Sequence, residues 1–289
     1  MKAVEETIAA LGVPIFLLAL GGEGRAKDAK IARWRHGAAV VDIAASDTVR
    51  VTVSLQSGHR VHSQNHKQTS GANVRLGSVM ILPAHERTRV TIEGEADVLQ
   101  IFVREAFLHS AVEMDFECRA LFNSHNVELQ AAAMQLFVAA SRRDPDDSLL
   151  LESGVHRLAA HLADHSARQP PGSARGGLAR AAQRRVDDMI AAAVDNATIP
   201  SPTLGQLAGA ASLSVNHFIR AFRQQTGMTP HRHLVLRRVE RGVALLKKPG
   251  KSVAEVADDT GFATPAHFVA TFRRTMGVTP GAVQAAFRG

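Results

Sequence analysis

Residues 214–230, SVNHFIRAFRQQTGMTP, and residues 264–280, TPAHFVATFRRTMGVTP, align at an offset of 50 without a gap. His217, Phe218, Phe222, Arg223, Gly227, Thr229 and Pro230 recur as His267, Phe268, Phe272, Arg273, Gly277, Thr279 and Pro280, seven identities in seventeen positions. Recurrence at fixed register reads as one supersecondary unit used twice. Each copy opens on Ser or Thr, which can cap a helix N-terminus, and reaches a Gly suited to a left-handed position after the helix. Between these ends the two phenylalanines, four apart, share a helical face and look toward a core, so the basic residues point elsewhere. His217 and His267, beside those phenylalanines, read as packed side chains.

A second short helix precedes each copy. Thr203-Leu-Gly-Gln206 and Ser252-Val-Ala-Glu255 are capping-box patterns, in which the first and fourth side chains satisfy exposed backbone donors. Leu207 and Ala208, and again Val256 and Ala257, supply the small apolar face that packs on the following helix. The result, twice over, is helix, tight turn, helix, a geometry that admits the second helix to a DNA major groove. Leu234–Lys247 reads as a long helix joining the two units.

Charge agrees with this division. The chain has 289 residues and a net charge of +7, yet residues 201–289 hold 12 Lys and Arg against 4 Asp and Glu, while residues 1–200 hold 22 against 23. The basic excess therefore belongs to the last third, as expected of a polyanion-binding module beside a near-neutral domain. The single cysteine, Cys118, excludes an intramolecular disulfide framework and a thiolate zinc site, and fits a reducing cytoplasm. The apolar run Val13–Leu20 follows two glutamates and is too short to span a bilayer, so neither secretion nor a membrane is expected.

From about residue 180 to residue 288 the sequence resembles the DNA-binding domain of AraC/XylS-type transcriptional regulators. The motifs are LAGAASLSVNHFIRAFRQQTGMTP, RVERGVALL at Arg238–Leu246, and VAEVADDTGFATPAHFVATFRRTMGVTP with its Gly261-Phe262 pair and Gly277–Pro280. Val283 and Gln284 stand where tyrosine and arginine are usual, a change expected to lose a packing contact. The resemblance implies that each second helix enters one of two successive major-groove faces. Transferred to this chain, Asn216, Ile219 and Arg220 meet base edges from the first helix, Asn being suited to adenine and Arg to guanine. The second helix offers Pro265, Ala266, Val269 and Ala270, whose side chains cannot hydrogen-bond a base, so the first unit is expected to carry most direct readout. Thr203, Arg223, Lys251, Ser252, Arg273 and Arg274 are the expected phosphate contacts.

Residues 38–104 read as short antiparallel strands, VVDIA, VRVTVSL, SVMILP, RVTIEG and DVLQIFV, separated by turn residues. Helical texture follows at Phe107–Val112, at Asn126–Ser141 with Leu129, Ala133, Leu136 and Ala140 on one face, and after Pro145 with Leu151, Val155, Leu158 and Leu162. One of these two striped helices is expected to pack on its own sheet and the other on a second chain. The strand-rich part resembles, through Gly77-x5-Pro83, the cupin-like ligand-binding domain of such regulators. Thr88 stands where a metal-binding cupin carries histidine, and His59 and His62, three apart, do not share a strand face. His59, His62, His66 and His85 therefore read as surface, turn or pocket residues, and neither a metal nor another cofactor is expected. Trp34, Arg35, His36, Arg60, His62 and Arg75 are expected to line or cover a pocket for a small organic effector, the arginines suiting an anion.

The expected fold class is α+β. A cupin-like antiparallel barrel or sandwich over residues 1–110 senses the effector, and a helical packing and dimerisation segment covers 111–165. A linker at 166–178, HSARQPPGSARGG from His165 onward, leads to an all-α domain at 179–289 with two helix-turn-helix units joined by a long helix. The expected function is a cytoplasmic, homodimeric, effector-responsive activator that binds double-stranded DNA, with no catalytic residues and RNA polymerase as a further candidate partner. The competing readings are a cupin-type metalloenzyme with a DNA-binding tail and a ligand-independent dimeric DNA-binding protein.

Overall fold

The structure, a computed structural model, describes residues 2–20, 28–65, 69–142, 148–167, 178–226 and 228–288. His66, Gly227 and most of the expected linker, residues 168–177, lie outside the described residues. The chain divides into two compact units, residues 1–169 with 276–278 and 285–289, and residues 170–275 with 279–284.

The first unit opens on helix α1 (Lys2–Leu11) and continues through β1 (Phe16–Ala19), β2 (Ala29–His36), β3 (Ala39–Ile43), β4 (Thr48–Ser54), β5 (Arg60–Asn65), β6 (Thr69–Asn73), β7 (Val79–Leu82), β8 (Thr88–Glu93) and β9 (Ala96–Arg104). Helix α2 (Glu105–Val112), strand β10 (Leu121–Ser124) and helices α3 (Val127–Arg142) and α4 (Ser148–Ala167) follow. The strands form two antiparallel sheets, ordered β1-β2-β9-β4-β7-β10 and β3-β8-β5-β6. The chain is therefore α+β, with the strand-rich half first.

Every residue of β4 is buried, because its two faces look at different neighbours. Arg50, Thr52 and Ser54 project between the sheets, and Val49, Val51 and Val53 project the other way. The core between the sheets gathers Trp34, Phe102, Val41, Val90, Ile92 and Val98. On β9 the outward Asp97, fully buried, receives both Arg33 Nε at 2.9 Å and Arg33 Nη2 at 2.8 Å from the adjacent β2. A charge buried this deeply persists because its partner meets both carboxylate oxygens.

Most of both apolar helix stripes is buried within the chain itself. Leu129, Ala133, Leu136 and Ala140 of α3 are 4% exposed or less, as are Val155, Leu158 and Leu162 of α4. The two helices meet where Gly154 lets Leu136 approach, since a Cβ there would lie 2.6 Å from Leu136 Cδ2. Most of each stripe is thus covered inside the chain, while Leu151, at the start of the second, is half-buried.

The rest of the chain forms α5 (Arg180–Asp195), α6 (Leu204–Ala210), α7 (Val215–Thr226), α8 (Pro230–Leu246), α9 (Val253–Asp259), α10 (Pro265–Met276) and α11 (Pro280–Arg288), all in the second unit except Met276 of α10 and the end of α11 from residue 285. Val186, Ile190 and Val194 of α5 pack with Leu207 and Ala208 of α6, Phe218 and Phe222 of α7, and Leu234 of α8. Helix α5 was not singled out in the sequence because Gly and Pro cluster just upstream of it. Thr229 caps α8 by accepting from Arg232 N, and Pro230 occupies the first turn, where a missing N–H costs nothing. In the second half, Phe268 stacks edge-on between Phe262 and Phe272 at centroid distances of 5.2 and 5.4 Å. A Cβ at Gly242 would lie 3.1 Å from the Phe268 ring, so glycine there lets the ring seat on α8.

Candidate functional site

The two helix-turn-helix units are built by matching local rules. Thr203 Oγ1 accepts from Gln206 N while Thr203 N donates to Gln206 Oε1, and Ser252 and Glu255 repeat the exchange. Each first helix closes with the same turn. Leu213 N donates to Ala208 O at 2.9 Å, and Phe262 N donates to Ala257 O at 3.1 Å. The residue before each donor is left-handed, Ser212 at φ 56 and Gly261 at φ 72. These pairs are related by an offset of 49, whereas the second helices are related by 50. The second unit therefore holds one extra turn residue, and both second helices restart on a hydroxyl cap, His217 N donating to Ser214 Oγ and His267 N to Thr264 Oγ1.

On α7, Phe218, Ala221 and Phe222 are buried, while Asn216, Arg220 and Arg223 are exposed. Ile219 is half-buried and rests against the core, so it offers only part of its side chain outward. On α10, Pro265, Ala266 and Ala270 are exposed and Val269 is half-buried, as are their α7 counterparts in turn. His217 and His267 are exposed, in contrast to the packed reading; the His267 ring meets Phe262 only edge-on, at 5.4 Å. Val283 is fully buried and Gln284 Nε2 donates to Lys251 O at 2.7 Å, so both unusual residues retain structural partners.

Some cations of this unit are paired with acids and others are not. Arg237 pairs with Glu240 at 2.7 Å, Arg241 with Asp195 at 3.1 Å, and Lys251 with Asp259. Arg220 and Arg223 of α7 and Arg273 and Arg274 of α10 are exposed and make no ion pair among the described residues. Arg232 and Lys248 are also exposed, and Arg238 Nη2 donates to Ser201 Oγ at 2.8 Å rather than to an acid. Pairing thus removes only part of the unit's positive charge, and the second helices of both units keep theirs. Of the expected phosphate positions, Thr203 sits beside the neutral Gln206, whereas Ser252 donates its hydroxyl to the Glu255 carboxylate at 2.7 Å. The Ser252 hydrogen bonds, followed by nearby Lys251, hold the Glu255 carboxyl below the usual carboxylate range.

The first unit encloses a cavity of about 60 Å³ between its sheets. Of the residues expected at a pocket, His36 lines it. Trp34 belongs to the core and donates from Nε1 to Gly12 O at 3.0 Å. Arg35 is 60% exposed, Arg60 is exposed, His62 lies 3.5 Å from Glu93, and Arg75 is half-buried away from the cavity wall. His59, read as a surface, turn or pocket residue, lines it too, and sequence reasoning passed over Arg50, Thr52 and Gln100, which also do. Their signal was available in β4, where polar residues alternate with valines, although alternation alone does not say which face is inside. His59 and His62 diverge, the first buried between the sheets and the second at the surface; His85 is exposed and lies 2.9 Å from Glu105. Among the described residues no three His, Cys, Asp or Glu side chains gather in a group that could hold a metal ion. Burial, then Glu105, pushes the Cys118 thiol up to about 12, which keeps it protonated and unreactive. No helix among the described residues is long and apolar enough to cross a membrane.

A family model described as a helix-turn-helix domain matches residues 207–286. Over 78 residues the chain is 37% identical to the HTH-type transcriptional regulator MtrA of Neisseria gonorrhoeae, covering 27% of this chain and 26% of that protein. It is 38% identical over 69 residues to the HTH-type transcriptional activator RhaS of Escherichia fergusonii, covering 24% and 25%. The chain spans about a quarter of the length of these relatives. Among solved structures, the DNA-binding domain of AdpA, in complex with a target DNA, is 34% identical and covers 36% of this chain and 93% of its own, with a TM-score of 0.32.

Proposed function

We propose that the protein is a sequence-specific DNA-binding transcriptional regulator, an effector-responsive activator acting as a homodimer in the cytoplasm, and that it has no enzymatic activity. The observation that carries this is the repeated placement of arginines: Arg220 and Arg223, and Arg273 and Arg274, are exposed on the two equivalent helices and make no ion pair among the described residues. In this reading Asn216 and Arg220, with the outer part of Ile219, read base edges from α7. Pro265, Ala266, Val269 and Ala270 contact thymine methyls or dock α10. Arg223, Arg273 and Arg274 dominate the phosphate contacts. Thr203, Lys251 and Ser252 add less, because Asp259 neutralises Lys251 and the Glu255 carboxylate stands at Ser252.

The sandwich unit in this reading binds a small organic effector, whose differential affinity for two arrangements of the dimer changes which DNA half-sites are occupied together. RNA polymerase is the partner that activation requires. The names of the matched relatives support regulation over catalysis, and the raised Cys118 pKa removes the one thiol as a nucleophile. Selection of full-length protein against random duplex DNA at near-physiological salt tests the proposal. A motif with two half-sites about one helical turn apart is the expected outcome. Retention without any motif, lost steeply as salt rises, would reduce the function to nonspecific polyanion binding.

A further inference from the structure

The wall of the sandwich cavity mixes a short polar row with apolar side chains from both sheets. The six-stranded sheet contributes a polar row, Arg50, Thr52 and Ser54 of β4, with Gln100 of β9 directly opposite Thr52 in register. Apolar side chains come from both sheets, Val41, Val61 and Ile92 from the four-stranded one and Met80, Leu82 and Val98 from the six-stranded one. The cavity is therefore mostly apolar with one polar row.

Its charge sums to zero. The Arg50 side chain is 3% exposed, and its Nη2 lies 2.9 Å from Glu6 Oε2 on α1. His59 is 2% exposed, and burial, followed by the neighbouring His36, holds its imidazole pKa below the ordinary value. It is therefore neutral at physiological pH. Three polar atoms are left over: Arg50 Nε, His59 Nδ1 and Gln100 Oε1 are buried and have no hydrogen-bond partner among the described residues. They include one obligate donor and one obligate acceptor. Buried polar groups in native proteins are ordinarily satisfied, so three beside one cavity point to a bound molecule that supplies the partners.

We infer that the cavity binds a small uncharged molecule with an apolar body and a polar edge that both donates and accepts hydrogen bonds, as a primary amide or an alcohol does. This rests on the effector reading above and names the chemical class that reading leaves open. An anion is disfavoured despite the buried arginine, because Glu6 already occupies the guanidinium and a second negative charge would face it in a poorly solvated space. A purely apolar molecule would leave all three polar atoms unpaired. The cavity volume, about 60 Å³, limits the molecule to a few heavy atoms, since a cavity of about 150 Å³ holds benzene.

Propionamide and propionate, nearly the same shape and differing in charge, are the probes, titrated into the full-length protein while side-chain NMR signals of Gln100 and His59 are followed. Propionamide is expected to bind at least about ten-fold more tightly than propionate. Glu6→Gln, which leaves Arg50 uncompensated, is expected to reverse that order. Gln100→Leu, which keeps a side chain of similar size, is expected to weaken propionamide with the methyl spectrum otherwise unchanged. Propionate binding the wild-type protein as well as propionamide would overturn the neutral class while leaving an effector site in place. Failure of both probes to move the cavity signals would overturn the cavity as a ligand site. Propionamide binding that leaves DNA affinity unchanged would support the ligand class and sink only the regulatory reading.

Discussion

At the scale of single residues, α7 shows how one helix serves two purposes: Phe218 and Phe222 are fully buried, and Asn216 and Arg220, from the same two turns, are exposed. Arg220→Ala is expected to cost about 1–3 kcal/mol on the selected site and to relax preference at one base pair, as measured by titration against single-position variants. Arg273→Ala is expected instead to weaken selected and random duplexes alike and to reduce the salt slope by about 1. A loss confined to one sequence would contradict its phosphate role. Gly261, at φ 72 and with Arg238 Nη2 2.9 Å from where a Cβ would stand, is the glycine whose conformation is demanded. Gly261→Ala should destabilise by about 1–2 kcal/mol in denaturant unfolding. Its counterpart Ser212 carries the same left-handed backbone without that freedom.

At the scale of elements, the two capping boxes differ in one atom type, and that makes them differ in pH response. Gln206 is neutral, whereas the Glu255 carboxyl has a folded pKa held below its ordinary 4.5. A depressed carboxylate contributes stability that is present above the unfolded pKa and lost as pH falls through the folded one. The stability difference between wild type and Glu255→Gln should therefore be seen at neutral pH and vanish in acid, below the depressed pKa. Ser252→Ala should cost about 1 kcal/mol. Most elements were legible: the Phe spacing marked α7 and α10, and the valine-rich runs marked β3, β4, β7, β8 and β9. Strands β2, β5 and β6 were not, because Arg, His, Ser and Asn occupy outward positions that read as loop or pocket. The fate of the α3 and α4 stripes was also illegible, since an apolar stripe demands cover without specifying whose.

For the whole molecule, salt and mass are the informative variables. Asp259→Asn should release Lys251 and steepen the salt dependence of DNA binding by about 1 in log–log slope. An unchanged slope would mean that Lys251 does not reach a phosphate. Sedimentation equilibrium of the 30.9 kDa chain is expected to return twice that mass, and a monomer at working concentration would remove the dimer from the proposed mechanism. What the sequence by itself determined was everything set by near neighbours: caps, turns, helical faces, the repeated unit and the segregation of basic charge, all of which depend on spacings of a few residues or on simple counts. What only the tertiary structure decided was pairing across distance. Asp259 neutralises Lys251, Glu6 neutralises Arg50 from 44 positions away, and Thr52 faces Gln100 across a strand pair. Such partners are chosen by packing, where burial makes an unmatched charge or polar atom costly, and nothing in local spacing carries that constraint.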